Sequence, residues 1–293
     1  MASARRSRGG RHESFDSGPG PSGLYGVTVE LEGTTVYVSG GASGLGAATA
    51  ERLTAAGARV GILDLAADRG EPLADRLGGA FAHCDVGSAE SMEVAFTALV
   101  DRLGPPRVAV ACAGVGAGKQ LIGRSGPYPL DAFERVVRVN LTGVFNLVRL
   151  AAWAMHALDP LGPDGERGVI VTTASLAASD GVDGGTAYSA SKGGVRAMTL
   201  PLARDLAPWG IRAVSISPGS FDTPLVAGMP QAYADQMAAT TPFPKRFGAP
   251  GEFALLCEHV IVNPFVNGAD IRLDGGMRMT PSVPATTPGT PAT

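Results

Sequence analysis

Three side chains in the second half of the chain have the types and spacing for proton transfer. In Tyr188-Ser189-Ala190-Ser191-Lys192 the tyrosine and lysine stand four residues apart, and at the start of a helix that places both on one face. Tyrosine ordinarily titrates near ~10, so a phenol that is to work as a base near neutral pH needs a positive neighbour to favour its phenolate. Lys192 can supply that charge, although the same spacing also suits an exposed helical pair. Ser175 precedes this pair and follows the apolar run Gly168 to Thr172. A parallel-sheet layout can bring its hydroxyl and the phenol to one cleft. Thr173 and Ser179 are rival hydroxyls, and a serine here also suits a turn or helix cap. Asn140, in Arg138-Val139-Asn140-Leu141-Thr142-Gly143, is polar within an apolar helical stretch. It suits a helix bend or cap, or a site holding a water that links Lys192 to bulk solvent.

The elements that must position these groups follow from pattern. Short β-branched runs alternate with longer helical periods, the sign of a parallel sheet with helices on both faces. The first run, Thr34 to Ser39, leads through a glycine loop into an Ala-rich helix from Leu45 to Ala56. Further strands are expected at Arg59 to Leu63 (ending at Asp64), Ala80 to His83, Arg107 to Ala111, Gly168 to Thr172, Arg212 to Ser217 and Ala269 to Leu273. Two long helices are expected over about 130–157 and 187–207. Pro201 removes one backbone hydrogen bond from the second. Because Leu202, Ala203 and Leu206 continue its apolar face, a kink is expected there rather than a stop. The fold class expected is α/β: a single Rossmann-type doubly wound domain over residues 29–279, with a parallel sheet of about seven strands.

The loop Ser39-Gly40-Gly41-Ala42-Ser43-Gly44-Leu45-Gly46 concentrates glycines at a strand-to-helix turn. Such a loop, with glycines at Gly40, Gly44 and Gly46, lets the backbone approach a pyrophosphate and aims helix N-terminal amides at it. Asp64, at the end of the second strand, is placed to accept hydrogen bonds from both ribose hydroxyls of an adenosine and to repel a 2′-phosphate. As a helix N-cap it would be equally ordinary. With Arg69 the nearest compensating charge, the cofactor expected is NAD rather than NADP. Asp85 and Val86, ending the third strand, would sit beside the adenine. A bound nicotinamide is positive, and so would favour the Tyr188 phenolate together with Lys192.

Composition sets the outer limits. A formal net charge of -3 over 293 residues gives no general drive toward nucleic acid or anionic membrane. No apolar stretch approaches the roughly 18 residues a membrane span needs, so a soluble, cytoplasmic protein is expected. Residues 1–28 and 280–293, rich in Gly, Ser and Arg or in Pro and Thr, are expected to be disordered tails. Arg5, Arg6, Arg8 and Arg11 hint at a transit peptide, but Glu13 and Asp16 weaken an amphipathic helix there. Cys84, Cys112 and Cys257 form no CxxC, and His12, His83, His156 and His259 show no ligand spacing, so no metal is expected.

Across about residues 30–279 the chain resembles the short-chain dehydrogenase/reductase family. The motifs are SGGASGLG, ACAG after the fourth strand with Cys112 and Gly114, RVN, the Ser175/Tyr188/Lys192 set, and Pro218-Gly219. Within that family it is most similar to the type-II 3-hydroxyacyl-CoA dehydrogenases, also called type-10 17β-hydroxysteroid dehydrogenases. The segments GGASGLGAATAERL, PGSFDTPL, TPFPKRFGAP and NPFVNGADIRLDGGMRM carry that likeness. The resemblance implies NAD contacts at Ser43, Leu45, Asp64, Asp85, Val86, Cys112, Tyr188, Lys192, Phe221 and Thr223, and a homotetramer. It implies that Ser175 and Tyr188 hold the substrate oxygen while a secondary alcohol becomes a ketone, with 3-hydroxyacyl-CoA as the expected substrate. A hydroxysteroid or broad secondary alcohol dehydrogenase is the alternative, and a dinucleotide-binding partner without turnover is a third reading. Lys119 and Arg124 could meet the phosphates of a CoA. Val182-Asp183-Gly184-Gly185 replaces a glutamine-bearing stretch of that subgroup, at positions that face substrate.

Overall fold

The computed structural model describes residues 29–116, 118–123, 126–224, 226 and 231–279. Both expected tails and Arg124 lie outside them. Seven strands form one sheet: β1 (Thr35–Ser39), β2 (Arg59–Asp64), β3 (Ala80–His83), β4 (Val108–Ala111), β7 (Gly168–Thr173), β8 (Ile211–Pro218) and β9 (Asp270–Leu273). Their order is β3-β2-β1-β4-β7-β8-β9, with every pairing parallel. Each expected strand is present to within a residue or two, because buried parallel strands read as short, nearly continuous apolar runs. A separate antiparallel ribbon, β5 (Ile122–Gly123) with β6 (Gly126–Pro127), was not expected.

Successive strand residues face opposite layers. Val36 and Val38 pack into one core with Leu53 of α1 (Gly44–Ala55) and Phe253, Cys257 and Val260 of α9 (Pro250–Val262). Tyr37 faces the other core. There it packs edge to face on Phe96 of α3 (Ala89–Leu103), in a core that also holds Leu147 of α5 (Gly143–His156) and Val195 of α7 (Thr186–Leu206). The remaining helices are α2 (Ala67–Arg76), α4 (Leu130–Val137), the single turn α6 (Ala177–Asp180) and α8 (Gln231–Ala239).

The helix expected over 130–157 is divided into α4 and α5 by one π turn, Arg138–Thr142, with Asn140 inside it and 0% exposed. Side-chain bonds from Asn140 to another loop hold this wide turn. The other long helix, α7, runs continuously through Pro201. No helix among the described residues is long and apolar enough to cross a membrane. Chain direction reverses its progress across the sheet between β1 and β4, and in such sheets the crevice beyond the strands' carboxyl ends at that point receives the ligand.

Candidate active site

A cleft of about 560 Å³ opens at that crevice. Its floor is the β1–α1 turn, where Gly40 (φ 68) and Gly44 (φ 54) adopt left-handed backbone and Gly40, Ser43, Gly44, Leu45 and Gly46 line the space. A Cβ on Gly46 would stand 2.1 Å from the Gly40 carbonyl oxygen, so the tight turn closes only without a side chain there. The expected outcome for Gly46→Ala is a melting temperature lowered by several degrees together with affinity for a reduced nicotinamide dinucleotide weakened about tenfold or more, read by thermal melts and fluorescence titration. Wild-type affinity in that variant would refute the loop's role as a cradle.

Several of the residues expected to hold a dinucleotide form the walls. Asp64 lines the cleft at the end of β2; its Oδ2 accepts from Ala42 N at 3.0 Å and its Oδ1 from Ala66 N at 2.9 Å. Asp85, Val86, Cys112, Gly114 and Thr223 also line it. Phe221 does not. Its ring is buried against Phe253, edge to face, with centroids 6.4 Å apart. Arg69, Val115, Arg135, Arg138 and Val139 line the cleft as well. Of these only Arg69 was weighed from sequence. The Arg138-Val139 pair next to Asn140 was the local signal available, and the π turn is what carries it to the wall.

Asn140 and Lys192 stand beside Gly114, and Tyr188 lies next to Lys192 and Ser175; the four are set behind the cleft wall and do not line it. A Cβ at Gly114 would lie 3.3 Å from Asn140 Oδ1 and 3.6 Å from Lys192 Nζ. Asn140 Oδ1 accepts from Val115 N at 2.8 Å, while its Nδ2 donates to Val115 O at 3.0 Å and to Ser191 Oγ at 3.2 Å. Lys192 is 3% exposed; its Nζ donates to Thr173 O at 2.7 Å and lies 6.0 Å from the centroid of the Tyr188 ring. Burial pushes its pKa down to about 8, so the ammonium form still prevails at neutral pH.

Burial raises the pKa of Tyr188, and a hydrogen bond with the Ser175 side chain acts against that rise. The rival hydroxyls are occupied elsewhere: Thr173 Oγ1 donates to Cys112 Sγ at 3.6 Å, and Ser179 Oγ accepts from Arg196 at 2.7 Å. Ser175 Oγ also accepts from Ala177 N at 3.2 Å, so this serine both caps a turn and meets the phenol. Burial pushes the Cys112 thiol up to about 11 despite Thr173 and Lys192 beside it. It is therefore a neutral wall residue at physiological pH.

A glycine-floored cleft at the switch point of a parallel sheet, with a phenol, a buried ammonium and a hydroxyl grouped behind its wall, is the arrangement expected of an oxidoreductase. The family model described as enoyl-(acyl carrier protein) reductase matches residues 40–278. The chain belongs to the short-chain dehydrogenase/reductase family and is an oxidoreductase. It is 47% identical over 255 residues to 3-hydroxyacyl-CoA dehydrogenase type-2 of Bos taurus, a match covering 86% of this chain and 97% of the relative. The Homo sapiens protein of the same name is 46% identical with the same coverage. The crystal structure of 3-hydroxyacyl-CoA dehydrogenase type-2 from Mycobacterium avium superposes with a TM-score of 0.80 at 40% identity, covering 87% of this chain and 100% of that one.

Proposed function

We propose that the protein interconverts 3-hydroxyacyl-CoA and 3-ketoacyl-CoA, a step of fatty acid metabolism, with NAD as its cofactor. The observation that carries this reading is the grouping of Tyr188 with Ser175 and Lys192, whose Nζ lies close to Gly114 of the cleft wall. The named relatives suggest the substrate. The residues present fit a dinucleotide. Gly46 leaves the cradle that a Cβ would fill, the α1 N-terminus suits a pyrophosphate, and the Asp64 carboxylate suits a ribose diol.

A bound nicotinamide would supply the acceptor for the hydride leaving the alcohol carbon. Ser175 and Tyr188 hydrogen-bond the reacting oxygen. Tyr188 takes the hydroxyl proton as the ketone forms, and gives it back in the reverse direction. Lys192 favours the phenolate by charge, and Asn140 holds the turn through which a water can return the proton to solvent. Gly40, Gly44, Leu45 and Ser43 would cradle the cofactor, with Asp85, Val86, Cys112, Gly114 and Thr223 along its sides. Phe221 would contribute through backbone, since its ring is in the core.

Asp64→Ala is expected to raise the ratio of kcat/KM for NADP to that for NAD about tenfold or more, because the carboxylate that repels a 2′-phosphate is gone. An unchanged ratio in steady-state assays with both cofactors would assign selectivity elsewhere. We also read the protein as a cytoplasmic homotetramer: Phe145 and Trp153 of α5, Leu200 of α7 and Trp209 just beyond it are exposed, with Trp153 73% so, the apolar surface a partner subunit would cover. Light scattering tests this.

Substrate class is tested by following NADH formation with a series of 3-hydroxyacyl-CoAs, hydroxysteroids and simple secondary alcohols. The highest kcat/KM is expected with a 3-hydroxyacyl-CoA; a steroid or simple alcohol ranking first would overturn the assignment.

A further inference from the structure

Ser175 caps one short turn whose far end is gripped by two arginines from other elements. Within the turn, Ala178 N donates to Ser175 O at 3.0 Å and Asp180 N to Leu176 O at 2.9 Å, so Ser175 and Asp180 belong to one hydrogen-bonded unit. At its end the Asp180 carboxylate receives a two-pronged guanidinium from Arg272 on β9, at 3.0 and 3.2 Å. Arg272 also donates to Asp274 Oδ2 at 2.8 Å and to Met277 O at 3.1 Å, and Met279 N donates to Asp180 Oδ2 at 3.2 Å. One residue earlier, Ser179 Oγ accepts from Arg196 of α7, whose Nε lies 3.1 Å from Asp270 Oδ2. The other oxygen of Asp270 accepts from Ser217 of β8 at 2.7 Å.

The α6 turn is thus tied to β8, β9 and the helix that carries Tyr188 and Lys192. A bidentate arginine–carboxylate pair fixes direction as well as distance. Fixing direction is what the far end of a lever needs. A hydroxyl that must meet a reacting oxygen tolerates about 0.5 Å of error, and a misplacement of about 1 Å costs about 100-fold in rate.

We propose that Arg272, assisted by Arg196, is a positioning residue for Ser175, holding the turn that aims its hydroxyl at the substrate oxygen. The inference rests on the role proposed above for Ser175. Arg272 itself touches no reacting atom; its effect passes through Asp180 and the turn.

The test is a double-mutant cycle on the full-length enzyme, with kcat normalised to the NADH-binding sites found by fluorescence titration. Arg272→Gln is expected to lower kcat per site about 10- to 100-fold, with the KM for NAD unchanged. The primary deuterium isotope effect for substrate labelled at the reacting carbon should rise toward that of Ser175→Ala. Arg272→Lys, which keeps charge but loses the fork, should fall between. In the Ser175→Ala background, Arg272→Gln should add little further loss. Asp180→Asn provides the same cut from the other side should Arg272→Gln not fold.

Multiplying losses in the double variant, or wild-type kcat per site in both Arg272→Gln and Asp180→Asn, would overturn the proposal. Wild-type rates in Ser175→Ala alone would instead overturn the role of Ser175. The two failures are therefore separable.

Discussion

Replacing Tyr188 with Phe is expected to lower kcat by about 10²–10⁴-fold while NADH binding remains. The ring still fills its place between Ser175 and Lys192, and only the oxygen that carries the proton is lost. In the cofactor-free protein burial keeps the phenol neutral, with Ser175 opposing the shift. The phenolate needed for alcohol oxidation must therefore be drawn out by the Lys192 ammonium and the positive nicotinamide together. Oxidation should speed up as pH rises, because it consumes the phenolate. Ketone reduction should slow, because it consumes the phenol. Steady-state rates in both directions, with NADH titration as the binding control, check this result.

Lys192→Met is expected to abolish turnover and yet stabilise the cofactor-free fold. Burial lowers the amine from its ordinary value of 10.5 to about 8. Between those values the unfolded chain binds more protons than the native one, so stability rises with pH across that window. Below pH 8 the native state bears the full cost of a buried ammonium. A methionine of similar length removes that cost but leaves Thr173 O without its donor, so the net gain at pH 7 is roughly 1 kcal/mol, or about 2–4 °C in Tm. The gain should shrink as pH passes from 8 to 10.5. A variant that melts below wild type at pH 7 would mean that the bond to Thr173 outweighs the desolvation. Comparing melts at several pH values separates the two.

These effects trace to parts of the molecule that were legible to different degrees. The strands read directly, because runs such as Thr35–Ser39 are buried on both faces and carry little polar interruption. The glycine loop read equally well, since Gly46 leaves no room for any other residue. Ser175 was singled out by its motif rather than by local chemistry, which does not separate it from Thr173 and Ser179; the partners that occupy those two, Cys112 and Arg196, are brought in by other elements. The π turn was hidden for the same reason: Asn140 is held by Val115 and Ser191, far along the chain. Arg272 and Asp180 meet across a separation of 92 residues, and Arg212 and Glu166 form a buried pair at 2.7 Å. No periodicity announces such partners. Phe221 illustrates the converse, a position carried over by motif whose ring the core takes up instead.

The pH dependence of NAD reduction by wild type and Tyr188→Phe, measured side by side with one 3-hydroxyacyl-CoA, tests the central claim most directly. The wild-type rate should rise to a plateau through one ionisation lying below the ordinary tyrosine value of ~10. The variant should keep only a small rate without that ionisation. A Tyr188→Phe protein that retains the wild-type profile and plateau would contradict the account.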